Sequence, residues 1–357
     1  MKVLCFHPAL APYRVDFFNL LARQVDLEVA FLMENLKNQK LDQASIRAQA
    51  QFKYRMLTKG FELRGRLVRF GIRKLLKETH PDVVLAYEAS PITLFLCLLK
   101  KFASWKLWTS MDEAAVTIRA RRGIRAWMRD FVLRHCDGVM VPSEEAARAL
   151  KEINPKLKTA VVPIIHDTAT IRQNAEKVIA EGRAWRDSLP REWQKVLLFV
   201  GRLAPAKNLG WLINQMPNLP REIGLVIVGE GTERESLEHQ VVELQLSDRV
   251  RFDGKHEGEA VYARMSAADA LVLPSTFEPY GAVVGEALQW GTPCLVSDCV
   301  GAKELIDSRN GIVYHLNDES EFKNATGQVL ACKQSDPSLL SITLFDAVSE
   351  VARSFEC

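Results

Sequence analysis

Short apolar runs alternate with amphipathic stretches along the chain, and this alternation restricts the fold more than any other feature. In the first half the runs fall at residues 2–6, 27–32, 82–86, 106–109, 138–141 and 159–162, with helical patterns at 14–23, 61–77, 90–101, 117–134 and 143–152 between them. Apolar runs of this length separated by helices predict parallel strands covered on both faces. A doubly wound sheet satisfies that pattern. Ser143, following Pro142, is the predicted cap of the helix that carries Glu144 and Glu145.

The rhythm breaks near Pro163-Ile164-Ile165, and a polar helix is predicted over 170–187. A second strand series begins at Val196-Leu197-Leu198-Phe199-Val200-Gly201 and continues at 223–228, 249–253, 269–273, 293–296 and 311–314. The expected architecture is α/β, with two Rossmann-like parallel-sheet domains over 1–165 and 166–340. A terminal helix over 341–354 is expected to return to the first domain. A chain of 357 residues is long enough for two separate cores.

Charge is divided unevenly. Residues 1–165 hold 28 Lys and Arg against 16 Asp and Glu, while the remainder holds 19 against 28. The first half therefore suits an anionic partner. Its basic stretches, Arg119 to Arg129 and Arg64 to Lys77, mix cations with apolar residues such as Ile124, Trp127 and Met128. Each reads equally as a solvated helix with a core-facing stripe or as a surface resting on anionic lipid. Nucleic acid is not expected, because no reader motif accompanies the basic residues.

No apolar run reaches bilayer length, and the start Met1-Lys2-Val3-Leu4-Cys5-Phe6 does not resemble a signal peptide. The seven cysteines, at 5, 97, 136, 294, 299, 332 and 357, form no Cys-x-x-Cys and read as free thiols in a reducing compartment. A cytoplasmic protein is expected, with peripheral attachment to the inner face of the cell membrane as the option the charge opens. The sequence contains neither Asp-x-Asp nor His-Glu-x-x-His, so no metal site and no cofactor are predicted.

Residues with chemical potential collect after the strands of the second half. Gly201-Arg202-Leu203 to Lys207-Asn208 sets two cations in one loop, suited to phosphate oxygens or simply to solvent. Val228-Gly229-Glu230-Gly231 alone serves many tight turns. Val250 to His256, with Lys255, runs into a glycine turn whose backbone could meet a nucleobase. Phe277-Glu278-Pro279-Tyr280-Gly281 leads into a helix beginning Ala282-Val283 and carrying Glu286. A strand end, a glycine turn and a helix N-terminus suit an anion, and the two glutamates suit hydroxyl groups. Gly301, in Gly301-Ala302-Lys303-Glu304-Leu305, marks a close backbone approach.

With these pieces in order, residues 195–315 resemble the donor domain of retaining family-4 glycosyltransferases of the GT-B fold, the group 1 glycosyl transferases. The resemblance implies two Rossmann-like domains facing a cleft. It also implies retaining, metal-independent transfer from a nucleotide-diphosphate sugar to a glycan or lipid-linked acceptor, in bacterial surface polysaccharide or lipopolysaccharide assembly. Arg202 and Lys207 would then hold the diphosphate, Glu286 the ribose and Glu278 the sugar hydroxyls. Gly201, the backbone of Tyr280, Gly281, Ala282 and Val283, and Lys255 would complete the donor site. The first half departs from the family at the turn Pro8 to Arg14 and at Trp108-Thr109-Ser110-Met111-Asp112-Glu113, where His7, Arg14 and Asp112 are the acceptor-side candidates. A sugar-nucleotide epimerase or hydrolase of the same fold, and a non-catalytic nucleotide- or glycan-binding relative, are the alternative readings.

Overall fold

The computed structural model describes residues 1–35, 42–63, 66–332, 340 and 342–356. Arg64 and Cys357 thus lie outside the described residues. The chain divides into two compact units, Met1–Asp167 together with Ile342–Cys357, and Thr168–Ser341.

The first unit is built on nine strands: β1 (Lys2–His7), β2 (Asp26–Phe31), β3 (Lys53–Met56), β4 (Gly60–Leu63), β5 (Arg66–Arg69), β6 (Val83–Tyr87), β7 (Lys106–Ser110), β8 (Gly138–Val141) and β9 (Lys158–Val161). Seven of them form one parallel sheet in the order β3-β2-β1-β6-β7-β8-β9, and β4 and β5 make a separate antiparallel hairpin. The order reverses at β1 and β6, which are neighbours in space although β2 to β5 lie between them in sequence. Strand residues such as Val84, Leu107 and Val139 are fully buried, as expected for a sheet covered on both faces.

The C-terminal helix, Leu344–Glu356, belongs to this unit. It packs against the helix Pro12–Ala22 and β9, and the Phe355 ring meets the edge of Trp108 at 5.2 Å. Lys106 Nζ donates to the carbonyls of Phe355 and Glu356 at 3.1 and 2.9 Å, so a cation satisfies the exposed end of the helix.

The second unit carries β10 (Lys195–Val200), β11 (Ile223–Val228), β12 (Val250–Gly254), β13 (Ala270–Leu273), β14 (Cys294–Ser297) and β15 (Gly311–Tyr314). They form one parallel sheet in the order β12-β11-β10-β13-β14-β15. The reversal here falls between β10 and β13, where Leu197 pairs with Ala270 and Leu198 with Leu271.

Three local expectations are corrected. The helix predicted over 61–77 is a hairpin, β4 and β5, followed by a shorter helix, Ile72–Thr79. Gly60, at φ 149°, lies where a Cβ would come within 2.1 Å of the Val68 carbonyl, so the strands approach through a residue with no side chain. The unpredicted strand β3 is polar; it is held by its parallel backbone ladder to β2, with ion pairs across the two strands. Lys53 pairs with Asp26 at 3.1 Å and Arg55 with Glu28, both on β2. The helix predicted over 117–134 is two helices, Ala115–Ala120 and Gly123–His135. Buried Arg129 donates to the Ile118 carbonyl at 2.5 Å and so secures the break. The 170–187 helix likewise divides, into Thr168–Ile171 and Ala175–Asp187. Ser143 caps its helix as predicted, accepting from the Ala146 N–H at 3.2 Å.

Candidate active site

In an open parallel sheet, the loops leaving the two strands at the order reversal diverge to opposite faces and leave a crevice at the carboxyl edge. In the second unit those loops are Gly201–Asn208 after β10 and Pro274–Gly281 after β13. Lys207, from the first loop, forms an ion pair with Glu278, from the second. Their side chains are only 17% and 14% exposed, which limits screening by solvent. The Thr276 N–H also donates to the Ala206 carbonyl at 2.9 Å, so backbone and charge both join the loops. Arg202 stands exposed beside them, with no ion pair among the described residues.

The glycines around this crevice have steric reasons. A Cβ on Gly229 would lie 1.8 Å from the Gly201 carbonyl oxygen, and one on Gly231 would lie 2.1 Å from that of Leu203. The Gly229-Glu230-Gly231 turn therefore seats the Arg202 loop, and Leu203 N–H donates to the Glu230 carbonyl at 2.9 Å. On the other side, a Gly301 Cβ would fall 2.3 Å from the Pro279 carbonyl. Gly301 N–H donates to the Glu278 carbonyl at 3.0 Å, and Ala302 N–H to that of Tyr280 at 2.6 Å. Gly281 takes φ 94° and begins the helix Ala282–Gln289. Its N-cap residue, a glycine, has no side chain to cap it, so the N–H groups of its first turn lie at the crevice edge. Glu286 is half-buried on the same helix. Lys255 follows β12 on the same sheet edge and pairs with Glu257 at 2.6 Å.

In the first unit the reversal between β1 and β6 gathers His7, Arg14 and Asp112 into one network. Arg14 Nη2 donates to both carboxylate oxygens of Asp112, at 2.5 and 2.6 Å, and the Tyr87 hydroxyl adds a third bond at 3.2 Å. Burial pushes the Asp112 carboxyl up, but the charge and hydrogen bonds of Arg14 outweigh it and hold the group below its usual range. Arg14 is itself buried, so its charge is committed to Asp112 rather than presented to solvent. His7 lies among Phe18, Phe31 and Tyr87, and burial, aided by the Arg14 charge, lowers its pKa to about 3. It is therefore neutral at physiological pH, with Nδ1–H donating to the Ala9 carbonyl at 3.0 Å.

Beside this network a cavity of about 530 Å³ opens at the same sheet edge. Its walls are mainly apolar, with Phe6, Leu32, Ile92 and Met128, and its charged groups are Glu88, Glu113, Arg121 and Arg125. The sequence reading missed Glu88 and Glu113. The available signal was a carboxylate directly after an apolar strand, Tyr87-Glu88. Glu88 takes φ 55°, held by its N–H to the Ser110 carbonyl at 2.8 Å and by Thr93 Oγ1 donating to its carbonyl at 2.7 Å. Its carboxylate accepts from the Asp112 N–H at 3.1 Å. Glu113 pairs with Arg121 through one oxygen, while its shielded Oε2 has no partner among the described residues. Burial, then repulsion from Glu113, pushes the Glu88 pKa up to about 8.

A carboxyl raised in the folded state stabilises fully below its ordinary value of 4.5, and that contribution is lost as pH rises through about 8. Glu88→Gln should therefore flatten the fall in melting temperature between about pH 5 and about pH 9. Thermal scans across that range check it, and parallel curves for wild type and variant would rule out the raised Glu88 carboxyl.

Among the described residues no three His, Cys, Asp or Glu side chains cluster to hold a metal ion, and no helix is long and apolar enough to cross a membrane. Cys5, Cys97 and Cys294 are buried free thiols.

Comparison with known proteins bears on both units. Residues 183–339 match the family described as Glycosyl transferases group 1. The chain is similar to the lipopolysaccharide core biosynthesis glycosyltransferase LpsE of Rhizobium meliloti, 31% identical over 156 residues, covering 43% of this chain and 44% of that protein. It is similar to the alpha-D-kanosaminyltransferase of Streptomyces kanamyceticus, 31% identical over 253 residues, covering 70% and 58%. An uncharacterized glycosyltransferase of Methanocaldococcus jannaschii is 39% identical over 131 residues, covering 36% and 34%. The matches thus span between 34% and 58% of these relatives' own length. Among solved structures, Anabaena Alr3699/HepE in complex with UDP superposes with a TM-score of 0.72 at 17% identity, covering 99% of this chain and 94% of that one. The apo form of the lipopolysaccharide outer core galactosyltransferase WaaB gives 0.72 at 19%, covering all of both chains. At such identities the likeness establishes architecture: the chain has the GT-B fold, and its residues 183–339 carry the match to the group 1 glycosyl transferases.

Proposed function

We propose that the protein is a glycosyltransferase that takes a sugar from a nucleotide-diphosphate donor bound by the second unit and passes it to a glycan or lipid-linked acceptor bound by the first. The observation that carries this reading is the pairing of Lys207 with Glu278 across the β10/β13 reversal, beside exposed Arg202 and the uncapped helix at Gly281. The family match at 183–339 and neighbours solved with UDP and with UDP-glucose support it. Relatives named for lipopolysaccharide core biosynthesis support a role in bacterial surface polysaccharide assembly.

In this reading the donor diphosphate draws Lys207 away from Glu278 and meets Arg202 and the first-turn N–H groups. Glu278 then turns to the sugar hydroxyls, and Glu286 holds the ribose. Charge building on the leaving diphosphate is stabilised by preorganised cations and amides. Transfer proceeds with retention, by attack from the face the diphosphate leaves. The cavity bearing Glu88 and Glu113 receives the acceptor. A sugar-nucleotide hydrolase or epimerase would use the same donor groups, but would consume donor at full rate without acceptor.

Arg202→Ala and Lys207→Ala should each lower turnover by roughly 10²-fold, as for loss of one preorganised stabilising donor. Calorimetry separates the carboxylates. Glu286→Gln should weaken free UDP and UDP-glucose alike, by about tenfold. Glu278→Gln frees Lys207, so it should leave UDP binding unchanged or tighter while weakening the sugar-bearing donor. Near-wild-type turnover in both cation variants would sink the diphosphate assignment.

Metal-independence follows in this scheme from cations already in place around the leaving group. Transfer should therefore survive saturating EDTA, and loss of activity restored by Mg²⁺ or Mn²⁺ would refute it.

The first unit also exposes Phe102, in the turn after the helix Pro91–Lys100, and Ile124 and Trp127 on the helix Gly123–His135, with Lys101, Arg122 and Arg125 next to them in sequence. With the basic excess of residues 1–165, this supports peripheral attachment to an anionic membrane. Lys100, Arg119 and Arg121 are already engaged, with Asp137, with Glu152 at 2.7 Å and with Glu113. Attraction is worth about 1 kcal/mol per well-placed cation. The triple change Phe102→Ser, Trp127→Ser and Lys101→Gln, which spares the cavity lining, should release the protein from anionic vesicles and leave transfer to a soluble acceptor intact. Equal sedimentation of wild type and variant would count against the surface.

A further inference from the structure

A second cavity, of about 370 Å³, lies in the second unit where the helix Ala175–Asp187 passes the helices Glu259–Ala267 and Ala282–Gln289. Arg183 and Arg186 project from one face of the first helix, and Arg172 precedes it. The wall is completed by Asp187, Ser266 and Trp290. Asp187 is its one carboxylate among the described lining residues.

The cations here retain unused donors. Arg183 is exposed and has no ion pair among the described residues. Arg186 Nη2 is bound to Asp269 and to the Gln194 carbonyl, both at 2.9 Å, and that aspartate is shared with Lys195 at 3.1 Å. Arg186 Nη1 is shielded from solvent and has no partner among the described residues. Arg172 Nη1 donates to the Gln289 carbonyl at 2.9 Å.

Trp290 adds the independent observation. It is 5% exposed, and its indole N–H has no partner among the described residues. The Arg172 guanidinium lies 5.0 Å from the ring centre, and the Tyr262 ring is stacked at 5.7 Å. A buried N–H without a partner is costly, and here its residue lines a cavity together with three guanidinium groups. An oxyanion accepts from several such donors at once.

We propose that this cavity is a binding site for a compact oxyanion, either inorganic phosphate or the phosphate of a phosphorylated sugar. It shares no lining residue with the candidate donor site: Gly281 lies about 12 Å away at the far end of the eight-residue helix that Trp290 closes, and Glu286 one turn before Trp290 does not line the cavity. The inference does not depend on the glycosyltransferase reading.

Calorimetric titration of the full chain with inorganic phosphate, and separately with glucose 6-phosphate, tests it. Both should saturate at one site per chain if the phosphate alone is read, and only the sugar phosphate if the hexose is also held. The same isotherms are expected for the Arg202→Ala, Lys207→Ala double variant, which lacks the candidate diphosphate cations. Arg183→Ala, an exposed change that spares the core, should weaken binding by about tenfold or more. Trp290→Phe should weaken it without altering the isotherm for UDP. The proposal fails if neither ligand saturates, if Arg183→Ala binds like wild type, or if binding disappears in the Arg202, Lys207 variant.

Discussion

The reversal of strand order between β10 and β13 is the constraint on which the second unit's site depends. Parallel strands require crossover helices, and winding outward in two directions from the sheet centre sends those helices to opposite faces. The loops beside the reversal therefore cannot cover one another with regular structure. They meet instead through the Lys207–Glu278 pair and the Thr276 to Ala206 backbone bond. Their flanks are locked by glycines, Gly229 and Gly231 under the Arg202 loop and Gly301 under the Glu278 loop. A side chain at any of these three would strike backbone, which cannot rotate away.

The first unit meets the same topological situation with a different allocation of charge. Its β1/β6 reversal is sealed by Arg14 forked onto Asp112, with Tyr87 completing the carboxylate's bonds. Removing one partner of such a shielded pair typically costs roughly 3–5 kcal/mol, because the other charge is stranded. Its residues thus form a support on which the Glu88 and Glu113 cavity is built, joined through the Asp112 N–H. The second unit leaves Arg202 exposed and pairs Lys207 with Glu278. One network buries its cation, and the other keeps one in solvent.

Much of the fold was legible because continuous apolar runs such as Val196 to Val200 announce strands covered on both faces. The errors have a common cause. Strand β3 is polar, and the β4–β5 hairpin lies in a segment whose apolar spacing also suits a helix, so hydrophobic pattern was silent or misleading there. The break at Arg121 is bridged by Arg129 reaching the Ile118 carbonyl, a bond that apolar periodicity does not register, and Arg172 reaches the Gln289 carbonyl 117 residues away, which no local window contains.

The sequence by itself determined the two strand series, the polar break between them, and the chemical character of the second unit's loops. The loops carrying Arg202, Lys207 and Glu278, and the helix carrying Glu286, were readable because each follows an apolar strand, and strand ends converge in any doubly wound sheet. Tertiary structure alone decided which charges are spent. Arg14 and Asp112 are 98 residues apart and Lys207 and Glu278 are 71 apart, so neither pairing leaves a periodic trace in the chain. The elevated Glu88 carboxyl and the unpartnered Trp290 N–H are likewise products of packing. Solvation and electrostatics act through space, and a side chain's environment is set by whatever the fold brings beside it.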